Sequence, residues 1–137
     1  VPGVRLSAIH SGIKTNPEST DLVLVEVSEK STLAATFTTN RFCAAPVTVA
    51  KEHLEKQLLK EHGLIRYLLI NSGNANAGTG EQGYQDALAC CQAVSEQCSS
   101  SAEQVLPFST GVIAARLPAD TIYNAIPSLF DSLSATK

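Results

Sequence analysis

RYLLINSGNANAGTG, residues 66–80, sets the class of fold. The apolar run at 66–71 predicts a buried strand, and the three glycines and three asparagines of residues 71–80 predict a tight loop. Beyond the loop, Tyr84, Ala87, Leu88, Cys91, Val94 and Cys98 recur on one face at helical spacing, so a helix is expected from Gly80 to Cys98. A short loop at 99–101 then leads to a second apolar strand at 105–109. Strand, loop, amphipathic helix and strand in that order mark a mixed α/β chain.

Working upstream, residues 4–13 alternate loosely and end near Gly12. DLVLVEV (21–27) and LAATFT (33–38) read as two strands joined by the polar turn 28–32, an antiparallel pair. Residues 46–50 are expected to form a short strand. Residues 51–62 form a helix with Leu54, Leu58 and Leu59 on its inner face, closed by Gly63. Downstream, residues 118–133 predict one or two helices interrupted at Pro127. No internal repeat or linker divides the sequence, so residues 1–137 read as one domain or part of one, with 132–137 a tail or the cut edge of something longer.

A chain of 137 residues can bury roughly two thirds of its unfolded surface in a core and needs no disulfide staple. A net charge of -3 and a pI near 5.5 argue against a nucleic-acid or anionic-membrane surface and favour a small-molecule partner. Cys43, Cys90, Cys91 and Cys98 lack C-x-x-C spacing, so reduced thiols are expected. There is no signal-peptide pattern at residues 1–6, and no apolar run approaches the roughly 18 residues of a membrane span; a cytoplasmic chain is expected.

LPFSTGVI (106–113) ends an apolar strand in a hydroxyl residue followed by glycine. Glycine lets its own N–H approach a developing negative charge, and the preceding threonine adds an O–H donor, which makes Thr110 and Gly111 a candidate oxyanion hole. An ordinary strand-to-turn junction has the same local pattern. The Asn/Gly loop lacks the G-K-[ST] ending of a phosphate loop and the G-x-G-x-x-G spacing of a dinucleotide fold. It reads better as a tight wall whose asparagines bond unpaired backbone while its glycines take positive φ.

Other chemistry is thinner. Cys43 with His10, His53 or His62 as base has no activating motif around it; Cys43 reads as a small core residue, and His53 and His62 as solvated helix positions. Glu52 with Glu55, and Glu18 with Asp21, read as solvated charges. The chain thus carries a place to stabilise negative charge without an evident nucleophile and base.

TNRFCAAPV (39–47), INSGNANAGTG (70–80) and EQVLPFSTGVI (103–113), in this order, resemble the bifunctional glutamate N-acetyltransferase/ornithine acetyltransferase family of arginine biosynthesis. The resemblance covers nearly the whole chain. It implies the layered αββα sandwich of self-cleaving amino-terminal-nucleophile enzymes, with this chain as the amino-terminal portion of the α chain. It implies a precursor that cuts itself into α and β chains forming an α2β2 heterotetramer. The threonine exposed at the β amino terminus, with its own α-amine as base, takes the acetyl group of acetylornithine and passes it to glutamate. Thr110 and Gly111 match the family's oxyanion pair. No metal or prosthetic group is implied, and acetyl-CoA is a co-substrate of the bifunctional members.

This sequence departs from the family pattern at Gly78, where cysteine is frequent, and at Ala114, where glycine is usual. The threonine-rich segment, binding lysine and glycine-rich stretch that continue the family's α chain are not among these residues, and Lys137 does not match that lysine in its surroundings. Two competing readings stay open: a non-catalytic small-metabolite binding module built on NSGNANAGTG, and an inactive fragment competent only for assembly.

Overall fold

The computed structural model describes residues 1–29, 31–60 and 65–135. Four strands, β1 (Val4–Ile9), β2 (Leu22–Val27), β3 (Tyr67–Asn74) and β4 (Val105–Val112), form one sheet in the order β1-β2-β3-β4. The first two pairings are antiparallel, and β3 and β4 are parallel. That parallel pair requires a crossover, supplied by α2 (Gly80–Cys98). Two further helices, α1 (Ala45–Leu58) and α3 (Ala119–Asp131), complete the described elements with a short 3-10 turn at Ala102–Gln104.

Alternation along the strands sorts their side chains into two faces. Leu22, Leu24, Tyr67, Leu69 and Val105 point into the main core, where they meet Ala87, Cys91 and Val94 of α2 and Ile122, Ile126 and Leu129 of α3. On the other face the register aligns Leu6 with Val25 and Leu68, and Ala8 with Val23, Ile70 and Phe108. Leu6 and Phe108 are 40% and 43% exposed there. The chain therefore builds one helix layer on one sheet layer, and covers the other face in part, with Leu106 buried there against Ala50, Leu54, Leu68 and Phe37. The mixed α/β expectation holds, as do the helix at Gly80–Cys98 and the strands beginning at Leu22, Tyr67 and Val105.

Several expectations are corrected. Residues 33–38 form no strand, and the antiparallel partners of β2 are β1 and β3. Both edges of β2 are taken, so the 33–38 segment cannot pair with it. It borders instead an apolar hollow of about 520 Å³ with Ala50, Leu106 and Phe108. Residues 46–50 belong to α1, not to a strand. Pro46 sits in the first helical turn, where a missing N–H costs nothing and the fixed φ suits the helix.

The inner face of α1 is Pro46, Val49, Ala50, His53 and Gln57, while Leu58 and Leu59 are 73% and 88% exposed. The expected leucine face is thus rotated outward, with Leu54 alone packed in a small cluster with Ala50, Ile65 and Leu106. Gly63 and His62, expected to close this helix, lie outside the described residues. The helix α3 runs unbroken through Pro127. Tyr123, whose carbonyl loses its intrahelical donor there, is exposed, so water can take that donor's place.

Candidate active site

The parallel strands β3 and β4 end side by side, and their ends touch through backbone alone. Gly73 and Gly111 are register partners with φ of +109° and +134°. A Cβ on Gly111 would lie 2.3 Å from the carbonyl carbon of Gly73 and 2.5 Å from the N of Asn74. Only glycine permits this approach. Thr110, just before it, pairs with Ser72 and Asn74 in the register and is exposed. Its hydroxyl has no hydrogen-bond partner among the described residues. The two residues singled out from sequence thus sit together at an open strand end on the edge strand of the sheet.

The Asn/Gly loop walls this end. Asn71 Nδ2 donates to the carbonyl of Asn74 at 2.8 Å, and Asn71 Oδ1 accepts from Ser109 Oγ at 2.5 Å. Asn74 Nδ2 donates to the carbonyls of Ala115 and Arg116 at 3.1 and 3.0 Å, tying the loop to the segment that follows β4. Asn76 is fully buried, with φ +46°; its Nδ2 donates to the carbonyl of Gly83 at 2.8 Å and its Oδ1 accepts from Thr79 Oγ1 at 2.7 Å. Gly78 and Gly80 take positive φ as expected. The amides are consumed by backbone, which is the wall reading of the loop rather than the anion-cradle reading.

The two departures from the family pattern meet here. Ala114 adopts φ +61°, a conformation that suits glycine, and a Cβ on Gly78 would lie 3.8 Å from the Cβ of Ala114. Backbone bonds from Ala75 N to Val112 O at 2.9 Å and from Ala114 N to Ala77 O at 2.8 Å hold the loop and the 112–114 turn together.

A third segment reaches the same end and was not legible in the sequence as part of a site. Asp21, expected to be solvated, is buried and collects Ser11 N and Oγ at 2.6 and 2.8 Å and Lys14 N at 2.8 Å. Burial raises its pKa, but these hydrogen bonds, with a smaller contribution from the charge of His10, outweigh it and leave the carboxyl below its ordinary range. The clamp lays residues 11–14 across β3. A Cβ on Gly73 would lie 3.0 Å from Ile13 Cγ2 and 3.2 Å from Lys14 Cγ.

The rival chemistries are not assembled. His53, expected on a solvated face, is buried with Nδ1 2.8 Å from the carbonyl of Val105, where it fastens α1 to β4. His10 Nδ1 lies 2.9 Å from the carbonyl of Ser19. Neither is hydrogen-bonded to Cys43, which is half-buried beside a hollow of about 350 Å³; His62 lies outside the described residues. The cysteines are free. Burial pushes the Cys90 thiol up to about 12 and the Cys91 thiol higher still, so neither is a ready nucleophile. Glu52 accepts from Tyr84 Oη at 2.6 Å and links α1 to α2 rather than pairing with Glu55. Among the described residues no imidazole or carboxylate is hydrogen-bonded to Thr110. No described helix is long and apolar enough to cross a membrane.

A sequence model of the ArgJ family matches residues 5–137. The arginine biosynthesis bifunctional protein ArgJ of Neisseria meningitidis is 53% identical over 129 residues, covering 94% of this chain and 30% of that protein. Its counterpart in Methylococcus capsulatus is 48% identical over 134 residues, 98% of this chain and 31% of that one. Among solved structures, the ornithine acetyltransferase of Mycobacterium tuberculosis, complexed with ornithine, aligns with a TM-score of 0.87 at 32% identity over 97% of this chain and 68% of its own. The ArgJ protein of Bacillus halodurans aligns with a TM-score of 0.80 at 34% identity, over 91% and 62%. The chain spans about 30% of the length of the curated relatives it matches.

Proposed function

This chain belongs to the ArgJ family, and from that membership we propose that it is the amino-terminal part of an acetyltransferase of arginine biosynthesis. The reaction moves the acetyl group of N2-acetyl-L-ornithine to L-glutamate, with no metal or prosthetic group. The carrying observation is the exposed, unengaged hydroxyl of Thr110 beside Gly111, whose backbone is locked against Gly73.

In this reading a threonine at the amino terminus of a β chain, cut from the same precursor, attacks the acetyl carbonyl. Its hydroxyl proton passes to its own α-amine. Charge builds on the carbonyl oxygen, where the Thr110 O–H and the Gly111 N–H donate to it. The tetrahedral intermediate expels the amine of ornithine, which takes the proton, and an acetyl ester of the threonine remains. The amine of glutamate then attacks that ester, the same donors hold the second oxyanion, and the threonine oxygen leaves as its hydroxyl reforms. Rigid donors already in place cost no reorganisation at the moment of reaction.

Two features support the division of labour. Among the described residues no base is hydrogen-bonded to the Thr110 hydroxyl, and Leu6 and Phe108 stay 40% and 43% exposed on the sheet face away from the main core, where a further chain can pack. The assembled form is an α2β2 heterotetramer working in the cytoplasm. Ornithine release from acetylornithine in the presence of glutamate tests the proposal. The full-length protein should turn over and the 137-residue chain alone should be silent, whereas robust turnover by the chain alone would overturn the split site.

A further inference from the structure

Asn71 is an amide in an apolar position. It follows Tyr67 and Leu69 on the β3 face that points into the main core, and it is 4% exposed. Leu69, Ala87, Cys90 and Ile122 line the same small hollow. An amide buried in such company costs stability unless its polar atoms are hydrogen-bonded. Here Oδ1 accepts from Ser109 Oγ at 2.5 Å, and Nδ2 donates to the carbonyl of Asn74 at 2.8 Å. These two partners bracket the oxyanion pair. Ser109 immediately precedes Thr110, and Asn74 carries the backbone N that a Cβ on Gly111 would meet at 2.5 Å. One buried side chain therefore grips β4 just before Thr110 and the end of β3 against which Gly111 lies. It does so where the β3–β4 ladder shifts register, between Gly73 and Asn74. Alternation turns the side chain of Thr110 to the opposite face of the sheet, so Asn71 reaches the donors through backbone.

We propose that Asn71, bonded to Ser109, is the positioning residue for the oxyanion donors: it fixes the Thr110–Gly111 peptide against the Gly73–Asn74 peptide. The inference rests on the acetyl-transfer reading above and adds to it the group that keeps the donors in place before the substrate arrives. Donors aimed in advance lose much of their effect when they must be rearranged, and a misplacement of about 1 Å costs on the order of a hundredfold in rate. The oxyanion exists only in the tetrahedral states, so loosening its donors lowers kcat and spares KM.

The test uses the full-length, processed protein with Asn71→Ala, Ser109→Ala and Ser109→Thr, the first also combined with Thr110→Ala. Ornithine release gives kcat and KM. Asn71→Ala should lower kcat about 10- to 100-fold with KM little changed. Ser109→Ala should lower kcat by a smaller factor, and Ser109→Thr, which keeps the hydroxyl, should recover most of it. In the Thr110→Ala background one of the two donors is already gone, so the loss caused by Asn71→Ala should shrink by about threefold or more. A residue that only supports the fold would cost the same factor in both backgrounds, and that result would overturn the assignment. A wild-type kcat in Asn71→Ala would overturn it too, as would a rise in KM at constant kcat. If Asn71→Ala unfolds, the contrast between Ser109→Ala and Ser109→Thr decides instead: equal kcat in the two overturns it. Absence of acetyl transfer in the wild-type protein would refute the functional reading by itself. Hydrogen exchange of the full-length protein then decides the brace separately: residues 109–112 should exchange about tenfold faster or more in Asn71→Ala, and unchanged exchange there overturns it.

Discussion

Gly111→Ala should damage the protein through its fold as much as through its chemistry. The added methyl would fall 2.3 Å from the carbonyl carbon of Gly73, 2.5 Å from the N of Asn74 and 2.7 Å from the carbonyl oxygen of Gly73. All three are backbone atoms, so no rotamer change relieves the clash and the ends of β3 and β4 must separate. A φ of +134° is also closed to alanine. Strained backbone at a non-glycine residue costs about 1–3 kcal/mol and overpacking of a tight contact about 1–3 kcal/mol, so the substitution should destabilise by roughly 2–6 kcal/mol. Gly73→Ala offers the contrast, because its methyl would meet the side-chain atoms Ile13 Cγ2 at 3.0 Å and Lys14 Cγ at 3.2 Å, which can shift. Urea unfolding of the full-length protein, followed by the shift in midpoint at constant slope, measures both. Gly111→Ala should fall further than Gly73→Ala. A wild-type midpoint for Gly111→Ala would refute the backbone contact on which the site is built.

Ala114→Gly should stabilise the protein by about 0.5–1 kcal/mol, because relief of a left-handed alanine at φ +61° exceeds the extra entropy glycine loses on folding; thermal unfolding reads the shift. Asp21→Asn should cost about 2 kcal/mol near neutral pH, since the charged acceptor of three hydrogen bonds is lost. The folded-state pKa of Asp21 is lowered, so the unfolded chain takes up its proton first as pH falls. The wild-type advantage over Asp21→Asn should therefore be complete above about pH 4 and disappear as pH drops through the lowered value. An advantage that grew on acidification would contradict the clamp.

The parts of the fold that were legible in the sequence are those set by local periodicity. The helical face of Ala87, Cys91 and Val94 is buried as read, and the helix begins at Gly80 and ends at Cys98. The asparagines at 71, 74 and 76 bond backbone as their short amides predict. What failed depends on tertiary vacancy. LAATFT has strand composition, but both edges of β2 were already filled. The β-branched run after Pro46 resembles a strand until its proline is placed in a first helical turn. His53 and Asp21 read as solvated because nothing local shows that the carbonyl of Val105 or the N–H groups of Ser11 and Lys14 will need a partner. The hydroxyl-glycine step that ends an apolar strand was visible at Thr110 and Gly111; the close contact of Gly111 with Gly73 carried no signal in sequence.

Acetyl transfer by Thr110→Ala in the full-length protein tests the central claim most directly. Ornithine release at saturating acetylornithine and glutamate gives kcat, and the same titration gives KM. If the Thr110 hydroxyl holds the oxyanion, its removal lowers kcat about a hundredfold or more while KM changes little, as loss of one such donor does. Thr110 is exposed and its hydroxyl bonds to no described residue, so the fold should be untouched and the thermal midpoint unchanged. A variant that folds normally and turns over at the wild-type rate would contradict the assignment and leave Thr110 as the end of a strand.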